Sequence, residues 1–104
     1  MTRKLRKQRR KPTNNGIGVR WLDQAKKDRA YWRKTDPKVF QLINDLVEDT
    51  KQHPQSALGS PKALRRDLVG WWSRRIIGEH RLVYRVIEAY GKPVLEIRQY
   101  RYHY

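Results

Sequence analysis

The chain has 104 residues, which is enough for one small domain with a thin hydrophobic core. Its 25 lysine and arginine residues against 10 acidic residues give a formal net charge of +15, which favours nucleic acid as a partner, with an anionic membrane or an acidic protein as alternatives. The absence of cysteine excludes disulfides and thiolate metal sites, and no apolar stretch approaches the roughly 18 residues that span a membrane. No apolar segment of a secretory signal is visible, so we expect a cytoplasmic location.

The first sixteen residues form a basic segment that we expect to be a disordered tail. Range 1–16 contains seven lysine or arginine residues and no acidic residue, and a like-charge block of this density repels itself. Without those charges the formal net charge falls from +15 to +8, so range 17–104, the expected folded domain, is basic in its own right. We interpret the tail as solvated; added affinity for RNA and an arginine-rich transit peptide are the alternatives.

The first half of the expected domain predicts one strand and two helices. Range 17–22 predicts a short strand, and Asp23 is expected to cap a helix that runs to about Lys34. Asp36 and Pro37 predict the start of a second helix, because proline at the first helical position gives up no hydrogen bond. Spacings of three and four give this helix an apolar stripe that we predict to be core: Val39, Phe40, Ile43, Leu46 and Val47.

The second half predicts a loop and three strands. Range 53–61 is interpreted as the loop, because two prolines and a glycine interrupt regular structure there. Strands are predicted within ranges 68–77, 81–87 and 94–104, joined by glycine-containing turns. In the last strand, alternation places one set of side chains on a common face: Val94, Glu96, Arg98, Tyr100, Tyr102 and Tyr104. The order β-α-α-β-β-β predicts an α+β fold with two helices packed on one antiparallel sheet.

The predicted sheet carries both arginines and aromatic rings. Aromatic faces stack on unpaired bases and guanidinium groups hold phosphates, so we expect an RNA-binding surface. The candidate RNA-binding residues are Trp72, Arg74, Arg75 and Arg101. His103 is the candidate for proton transfer, because an imidazole exchanges protons readily near neutral pH, although a terminal histidine is also compatible with no role. No phosphate loop, dinucleotide fingerprint, Ser/His/Asp context or EF-hand is present, so we expect neither a cofactor nor a metal.

Three motifs at matching spacing carry a family resemblance. They are Gly-Trp-Trp-Ser-Arg-Arg-Ile at 70–76, Glu-His-Arg-Leu-Val-Tyr at 79–84 and Arg-Tyr-His-Tyr at 101–104. Through them, range 17–104 resembles the YoeB/Txe toxins of the RelE-like superfamily. The resemblance implies a microbial-RNase-like fold and a toxin of a type II toxin–antitoxin system. Such a toxin enters the ribosomal A site and cuts mRNA there without a metal.

The resemblance also implies roles for single residues. In such toxins the ribose 2′-OH attacks the adjacent phosphate, a reaction that needs a base, an acid and cations at the phosphate. Arg81 would stabilise the phosphate, His103 would be the general acid, and Tyr104 would position the phosphate or the base. Arg65 matches a basic residue that holds the RNA.

One position departs from the family pattern. The family loop usually reads Gly-Lys-Pro-Glu-Pro-Leu, and its glutamate is the expected base, whereas range 59–64 reads Gly-Ser-Pro-Lys-Ala-Leu and has Lys62 in that place. A lysine acts as a base only in its neutral form, which is scarce at pH 7. Either crowding by nearby arginines favours the neutral form of Lys62, or base catalysis is lost. We expect reduced but real activity.

The expected partners follow from the same resemblance. It implies mRNA on the bacterial ribosome and an acidic antitoxin of the YefM/Axe type, whose partly disordered segment folds over the site, and it leaves a homodimer open. A non-catalytic RNA- or ribosome-binding protein with the same fold is the main alternative, and Lys62 gives it weight. A DNA-binding module fits less well, because it needs a helix with a row of basic and amide side chains, whereas the polar side of the second helix carries Asn44, Asp45, Glu48 and Asp49.

Overall fold

A computed structural model describes residues 17–54 and 61–102. The expected tail, most of the expected loop, and the candidate residues His103 and Tyr104 lie outside the described residues. The elements are β1 (Gly18–Trp21), α1 (Asp23–Thr35), α2 (Pro37–Gln52), β2 (Lys62–Ala63), a 3-10 turn (Arg66–Leu68), β3 (Trp72–Ile77), β4 (His80–Ala89) and β5 (Lys92–Gln99). This order confirms the predicted β-α-α-β-β-β arrangement, to which the two-residue strand β2 is an unpredicted addition.

The two helices begin differently. At the start of α2, Asp36 Oδ1 accepts a hydrogen bond from the amide of Val39 at 3.3 Å and Pro37 occupies the first turn, as predicted. At the start of α1 the prediction was wrong, because Leu22 holds the N-cap position and Asp23 is already helical, with no side-chain cap. The carboxylate of Asp23 still lies in the first turn, where a negative charge interacts favourably with the helix dipole.

The strands form one sheet in the order β1-β5-β4-β3-β2. Strands β3, β4 and β5 pair antiparallel, as predicted, and the added strand β2 also pairs antiparallel. β1 corrects the prediction of a fully antiparallel sheet, because it joins parallel to β5, with Gly18 opposite Val94. The hairpin between β4 and β5 turns through Tyr90 and Gly91, whose φ angles are both positive at 54° and 76°. Positive φ at both central residues matches the two-residue turn whose twist suits an antiparallel hairpin.

Both helices pack on one face of the sheet. The predicted stripe of α2 is core, because Val39, Ile43, Leu46 and Val47 are buried and Phe40 packs beside them, partly buried. From the sheet, the core receives Ile76, Leu82, Tyr84, Leu95 and Ile97. Burial of each large apolar side chain contributes about 1.5–3 kcal/mol to stability, so this layer holds the sheet in place. Within the described ranges, no helix is long and apolar enough to cross a membrane.

The end of β5 differs from the predicted strand. β5 stops at Gln99, and the buried ring of Tyr100 joins the helix-facing core instead of continuing the alternation. The Tyr100 amide donates to Asp28 Oδ2 at 3.0 Å, its hydroxyl accepts from the Trp21 indole at 2.7 Å, and its carbonyl accepts from the Trp32 indole at 3.1 Å. These bonds replace the strand ladder and direct the chain end towards α1. Burial also raises the pKa of Tyr100 to about 12.

Candidate active site on the open face of the sheet

The sheet face that points away from the helices, the open face, carries three of the predicted site residues. Side chains alternate along a strand, and Arg74 and Leu82 point into the helix side, so their neighbours Arg75 and Arg81 point to the open face. Lys62 on β2 lies opposite Ser73, which is two residues from Arg75 and shares its face. The structure therefore brings Lys62, Arg75 and Arg81 onto one surface; the first two are exposed and the third is half-buried.

Arg75 and Arg81 lie directly opposite each other on adjacent strands. Like charges at opposite positions are unfavourable, so this pair favours an anion close by. One guanidinium nitrogen of Arg81 donates to the carbonyls of Gly78 and His80 at 2.9 Å and 3.1 Å, which fixes the head group near the β3–β4 turn. A register shift in β3 beyond Arg75 breaks the regular ladder there, as often happens beside functional sites.

The C-terminal segment is attached to the start of β4. The Arg81 amide donates to the carbonyl of Tyr102 at 3.2 Å, and the Tyr102 amide donates to His80 Nδ1 at 2.8 Å. Tyr102 is the last described residue, and the two candidate residues that follow it lie outside the described part of the chain. The chain therefore enters its final dipeptide beside Arg81.

A second cluster on the open face contains an indole between two cations. Trp71 is buried with Leu64 and Val83, and the guanidinium groups of Arg85 and Arg98 lie 4.3 Å and 5.6 Å from its ring centroid. Both cation–ring distances fall within the range of favourable contact. The cluster extends the positive surface from Arg81 along β4 and β5.

The one open-face carboxylate on β5 is enclosed by arginines. Glu96 is only 4% exposed. Its two oxygens accept from Arg20 at 3.1 Å and from Arg85 at 2.7 Å. Since both oxygens are engaged in ion pairs, Glu96 neutralises part of the positive surface and does not present a free carboxylate.

Trp72 does not lie where an RNA-stacking residue was expected. It packs, partly buried, against the core on the helix side of the sheet, opposite Tyr84 in the strand register. It therefore does not share the face of Arg75 and Arg81. The indole on the open face is that of Trp71, because strand alternation directs the two adjacent tryptophans to opposite faces.

Arg74 was predicted to bind RNA, and this prediction was wrong because the side chain is buried on the helix side of the sheet. Its side chain is fully buried and forms an ion pair with Asp49 at 2.7 Å, while donating to the hydroxyl of Tyr84 at 3.3 Å and to the carbonyl of His53. A buried arginine needs such partners, because an unpaired charge in the interior is very costly. Arg74 thus fastens the end of α2 to the sheet. Burial raises the pKa of Tyr84, and the hydrogen bond from Arg74 opposes this shift.

Arg101 and Arg65 lie outside the strands β3 and β4 that align Arg75 with Arg81. The Arg101 guanidinium lies 3.7 Å from the ring centroid of Tyr31 on α1 and donates to the Tyr102 hydroxyl at 2.9 Å, so it is engaged in contacts within the protein. Arg65 is exposed just before the 3-10 turn that follows β2. Of the two, Arg65 is free to meet a ligand without rearrangement.

Sequence reasoning gave no role to His80. Its imidazole accepts from Tyr102 and packs edge-on against the indole of Trp32, with ring centroids 5.0 Å apart. The only signal was its position next to Arg81 inside one of the three motifs.

No group of three potential metal ligands occurs among residues 17–54 and 61–102.

Fold and surface together define a class: a small basic α+β domain in which the sheet face opposite the helices gathers cations beside the segment that ends the described residues. A sequence model of the YoeB-like toxins of bacterial type II toxin–antitoxin systems matches residues 21–104. The chain belongs to this family of toxins.

Individual relatives agree with the family model. Toxin YoeB of Escherichia coli K12 is 42% identical over 84 residues, which are 81% of this chain and 95% of that protein. The YoeB/ParE toxin from Agrobacterium tumefaciens has a TM-score of 0.80 and 40% identity, covering 85% of this chain and 100% of that one. YoeB of Staphylococcus aureus was solved as a dimer and in a heterotetrameric YoeB–YefM complex, and it is 32% identical to this chain. The TM-scores are 0.75 for the dimer and 0.73 for the complex, and each match covers 85% of this chain and 98% of the S. aureus chain. These matches confirm the predicted fold and family.

Proposed function

We propose that the protein is a ribosome-dependent endoribonuclease that cleaves mRNA in the A site. The observation that carries the proposal is the attachment of Tyr102 to Arg81, because it joins a cation on the open face to the segment that continues into His103 and Tyr104. Cleavage of RNA at neutral pH needs a phosphate-binding cation close to a proton donor. Membership of the toxin family supports the same conclusion.

The proposed reaction is a transfer within the RNA chain. The 2′-OH attacks the adjacent phosphorus, the bond from phosphorus to the 5′-oxygen breaks, and the products are a 2′,3′-cyclic phosphate and a free 5′-hydroxyl. A base takes the proton of the 2′-OH, and His103 returns a proton to the leaving 5′-oxygen. Arg81 stabilises the negative charge that develops on the phosphate, Tyr104 positions the phosphate or the base, and no metal takes part.

The remaining predicted residues would hold the RNA. Arg75 and Arg65 are exposed and offer guanidinium groups to the phosphates on either side of the bond that breaks. Arg85 and Arg98 beside Trp71 extend this positive track along the sheet. Since these groups act through charge, binding should weaken as the salt concentration rises.

Lys62 limits the proposed site, because a lysine stands where a carboxylate base is expected. It is exposed on the open face, at the place where the family has its glutamate. Glu96 does not replace that glutamate, because both of its oxygens pair with arginines and it is 4% exposed. We therefore propose an attenuated enzyme, in which Lys62 either acts as a poor base or leaves the 2′-OH to solvent.

The proposed partners are bacterial mRNA on the ribosome and an acidic antitoxin of the YefM type. The family to which the chain belongs is one of toxin–antitoxin systems, and the S. aureus relative was solved both with YefM and as a dimer. An acidic segment that folds over the open face would neutralise it with tight, salt-sensitive binding. An antitoxin that left Tyr104 exposed would argue against direct occlusion. A homodimer is proposed alongside, and the cytoplasm is the proposed location because translation takes place there.

A non-catalytic RNA- or ribosome-binding protein is the second candidate. Lys62 in place of a carboxylate base is the observation that favours it. Both candidates use the same positive face, so they differ only in whether the RNA is cut.

The deciding experiment is mRNA cleavage in a reconstituted bacterial translation reaction, mapped by primer extension. Wild type, His103→Ala and His53→Ala are compared; His53 is an exposed histidine at the end of α2, which packs on the opposite face of the sheet from the site. We expect A-site cuts with wild type and with His53→Ala and none with His103→Ala. Cuts that persist in His103→Ala would keep the nuclease and reassign the acid, whereas ribosome binding without cuts by wild type would favour the non-catalytic candidate.

A further inference from the structure

We infer that His80 is a positioning residue for catalysis: its imidazole fixes the peptide that carries the catalytic C-terminal dipeptide next to Arg81. The inference rests on the proposed function, since it concerns the same site. Within the described residues, two hydrogen bonds attach Tyr102 to the start of β4, and the shorter of them, at 2.8 Å, ends on His80 Nδ1.

The two bonds act on opposite ends of one residue. The Tyr102 carbonyl accepts from the Arg81 amide at 3.2 Å, and the Tyr102 amide donates to His80 Nδ1. A strand ladder would supply both bonds from backbone groups, but the ladder between β4 and β5 ends before this point, since Tyr100 has turned into the core. The His80 side chain thus provides the acceptor that the missing ladder would have provided.

The imidazole is itself held in place. Its ring meets the Trp32 indole edge-on at 5.0 Å and the Tyr102 ring at 5.3 Å. Trp32 is anchored in turn, because its indole N–H donates to the Tyr100 carbonyl at 3.1 Å. A side chain packed between two rings loses little further freedom when it accepts a hydrogen bond, so it can define the path of the chain.

Only one tautomer of the neutral His80 imidazole can accept the hydrogen bond from the Tyr102 amide. A backbone amide only donates, so Nδ1 must accept and carries no proton, and a neutral His80 holds its proton on Nε2. The His80 imidazole acts through the Tyr102 amide, to which it is hydrogen-bonded, and only the backbone carbonyl of His80 contacts the Arg81 guanidinium. Since small displacements of a catalytic group lower rates by up to roughly a hundredfold, loss of this bond should reduce turnover more than RNA binding.

Two substitutions at His80 distinguish the effect of the hydrogen-bond acceptor from the effect of the imidazole ring. His80→Leu removes the acceptor, whereas His80→Asn keeps an amide oxygen near the place of Nδ1, and His53→Leu is the matched control at an exposed histidine. For each protein we would measure kcat and KM for cleavage on programmed ribosomes. We would also measure hydrogen exchange of the Tyr102 amide by NMR, with core amides of α2 reporting global stability.

For His80→Leu we expect kcat to fall about tenfold to a hundredfold at nearly constant KM, and the Tyr102 amide to exchange roughly tenfold faster while the α2 amides do not change. His80→Asn should recover most of both losses, and His53→Leu should behave as wild type. Wild-type kcat and wild-type exchange in His80→Leu would overturn the inference and leave the proposed function intact. Loss of kcat in His80→Asn as complete as in His80→Leu would also overturn it. No cleavage by wild type would overturn the proposed function itself, and the catalytic part of this inference with it.

Discussion

Arg75 on β3 and Arg81 on β4 are direct neighbours across the two strands, so two positive side chains lie side by side on the open face. Such a pair opposes folding slightly, because like charges at opposite positions repel. An RNA phosphate between them would relieve the repulsion. The arrangement therefore trades a little stability for affinity towards an anion, as binding surfaces often do.

Replacing one member of the pair should separate these two effects. Arg75→Gln is expected to raise the free energy of unfolding by about 0.2–1 kcal/mol at low salt, because the repulsion disappears, and to raise KM for RNA cleavage. Urea unfolding at low and high salt measures the first effect, which should shrink as salt screens the charges. Lys27→Gln, an exposed charge on α1, is the control for a general loss of positive charge. A destabilised Arg75→Gln protein would show that the pair is not repulsive.

The proposal that Lys62 limits the chemistry can be tested by placing a carboxylate at position 62. Lys62→Glu is expected to raise the cleavage rate by roughly 10²–10⁴-fold, the usual contribution of an acid–base group. Lys62→Gln removes the same charge without supplying a base and should give no such gain. Rates are compared by primer extension on ribosome-bound mRNA. An unchanged rate in Lys62→Glu would mean that this position does not limit the chemistry.

The buried ion pair of Arg74 should matter for stability and not for RNA contact. Arg74→Met is expected to lower the free energy of unfolding by about 3–5 kcal/mol, because it leaves the Asp49 carboxylate without its cation. Adding Asp49→Leu should recover part of this loss, and Arg75→Met, one position along the strand, is the exposed control. Denaturant unfolding measures all four proteins. If Arg74→Met kept its stability and lost affinity for RNA, the original prediction of an RNA contact would be restored.

The buried hydroxyl of Tyr100 should make stability depend on pH in the alkaline range. Its pKa in the folded protein is raised to about 12 by burial, against about 10 in an unfolded chain. Below about pH 10 the hydroxyl is protonated in both states and contributes no pH dependence. Between about pH 10 and pH 12 the hydroxyl loses its proton in the unfolded chain but keeps it in the folded protein. The free energy of unfolding therefore falls as pH rises, by about 1.4 kcal/mol per pH unit.

The comparison variant for this effect is Tyr100→Phe. It should be less stable at neutral pH by about 1–3 kcal/mol, because the Trp21 indole loses its acceptor. The difference in stability from wild type should then narrow as pH rises from 10 towards 12. Urea unfolding at fixed pH values in this interval measures the difference. A difference that stays constant across the interval would show that Tyr100 ionises equally in both states.

Local signals predicted the helices well. Asp36 and Pro37 sit next to each other and define the start of α2 by themselves, and the spacing of Val39, Ile43 and Leu46 follows from the helix period alone. Asp23 misled because an aspartate stabilises a helix from the first turn as well as from the cap. Nothing in the sequence shows whether Asp23 occupies the N-cap position or the first turn of α1.

Features that depend on distant residues were harder to predict. The alternation of β3 already places Arg74 on the same side as the core residue Ile76, so its burial was predictable, but its partner Asp49 lies 25 positions earlier and could not be read from the sequence. The bend at Tyr100 depends on Asp28, 72 positions away. The role inferred for His80 depends on this bend, since without it backbone groups would occupy the place of the imidazole.

The parallel pairing of β1 with β5 has a consequence for the order of events during synthesis. Gly18 pairs with Val94, so β1, the first strand of the described residues, has no neighbour in the sheet until the chain has been synthesised as far as β5. Contacts between such distant segments form late, because closing a long loop is entropically unfavourable. The attachment of Tyr102 to β4 comes later still along the chain. A nascent chain therefore has no assembled site until Tyr102 has been synthesised, which makes completion of the site one of the last steps in the folding of the described domain.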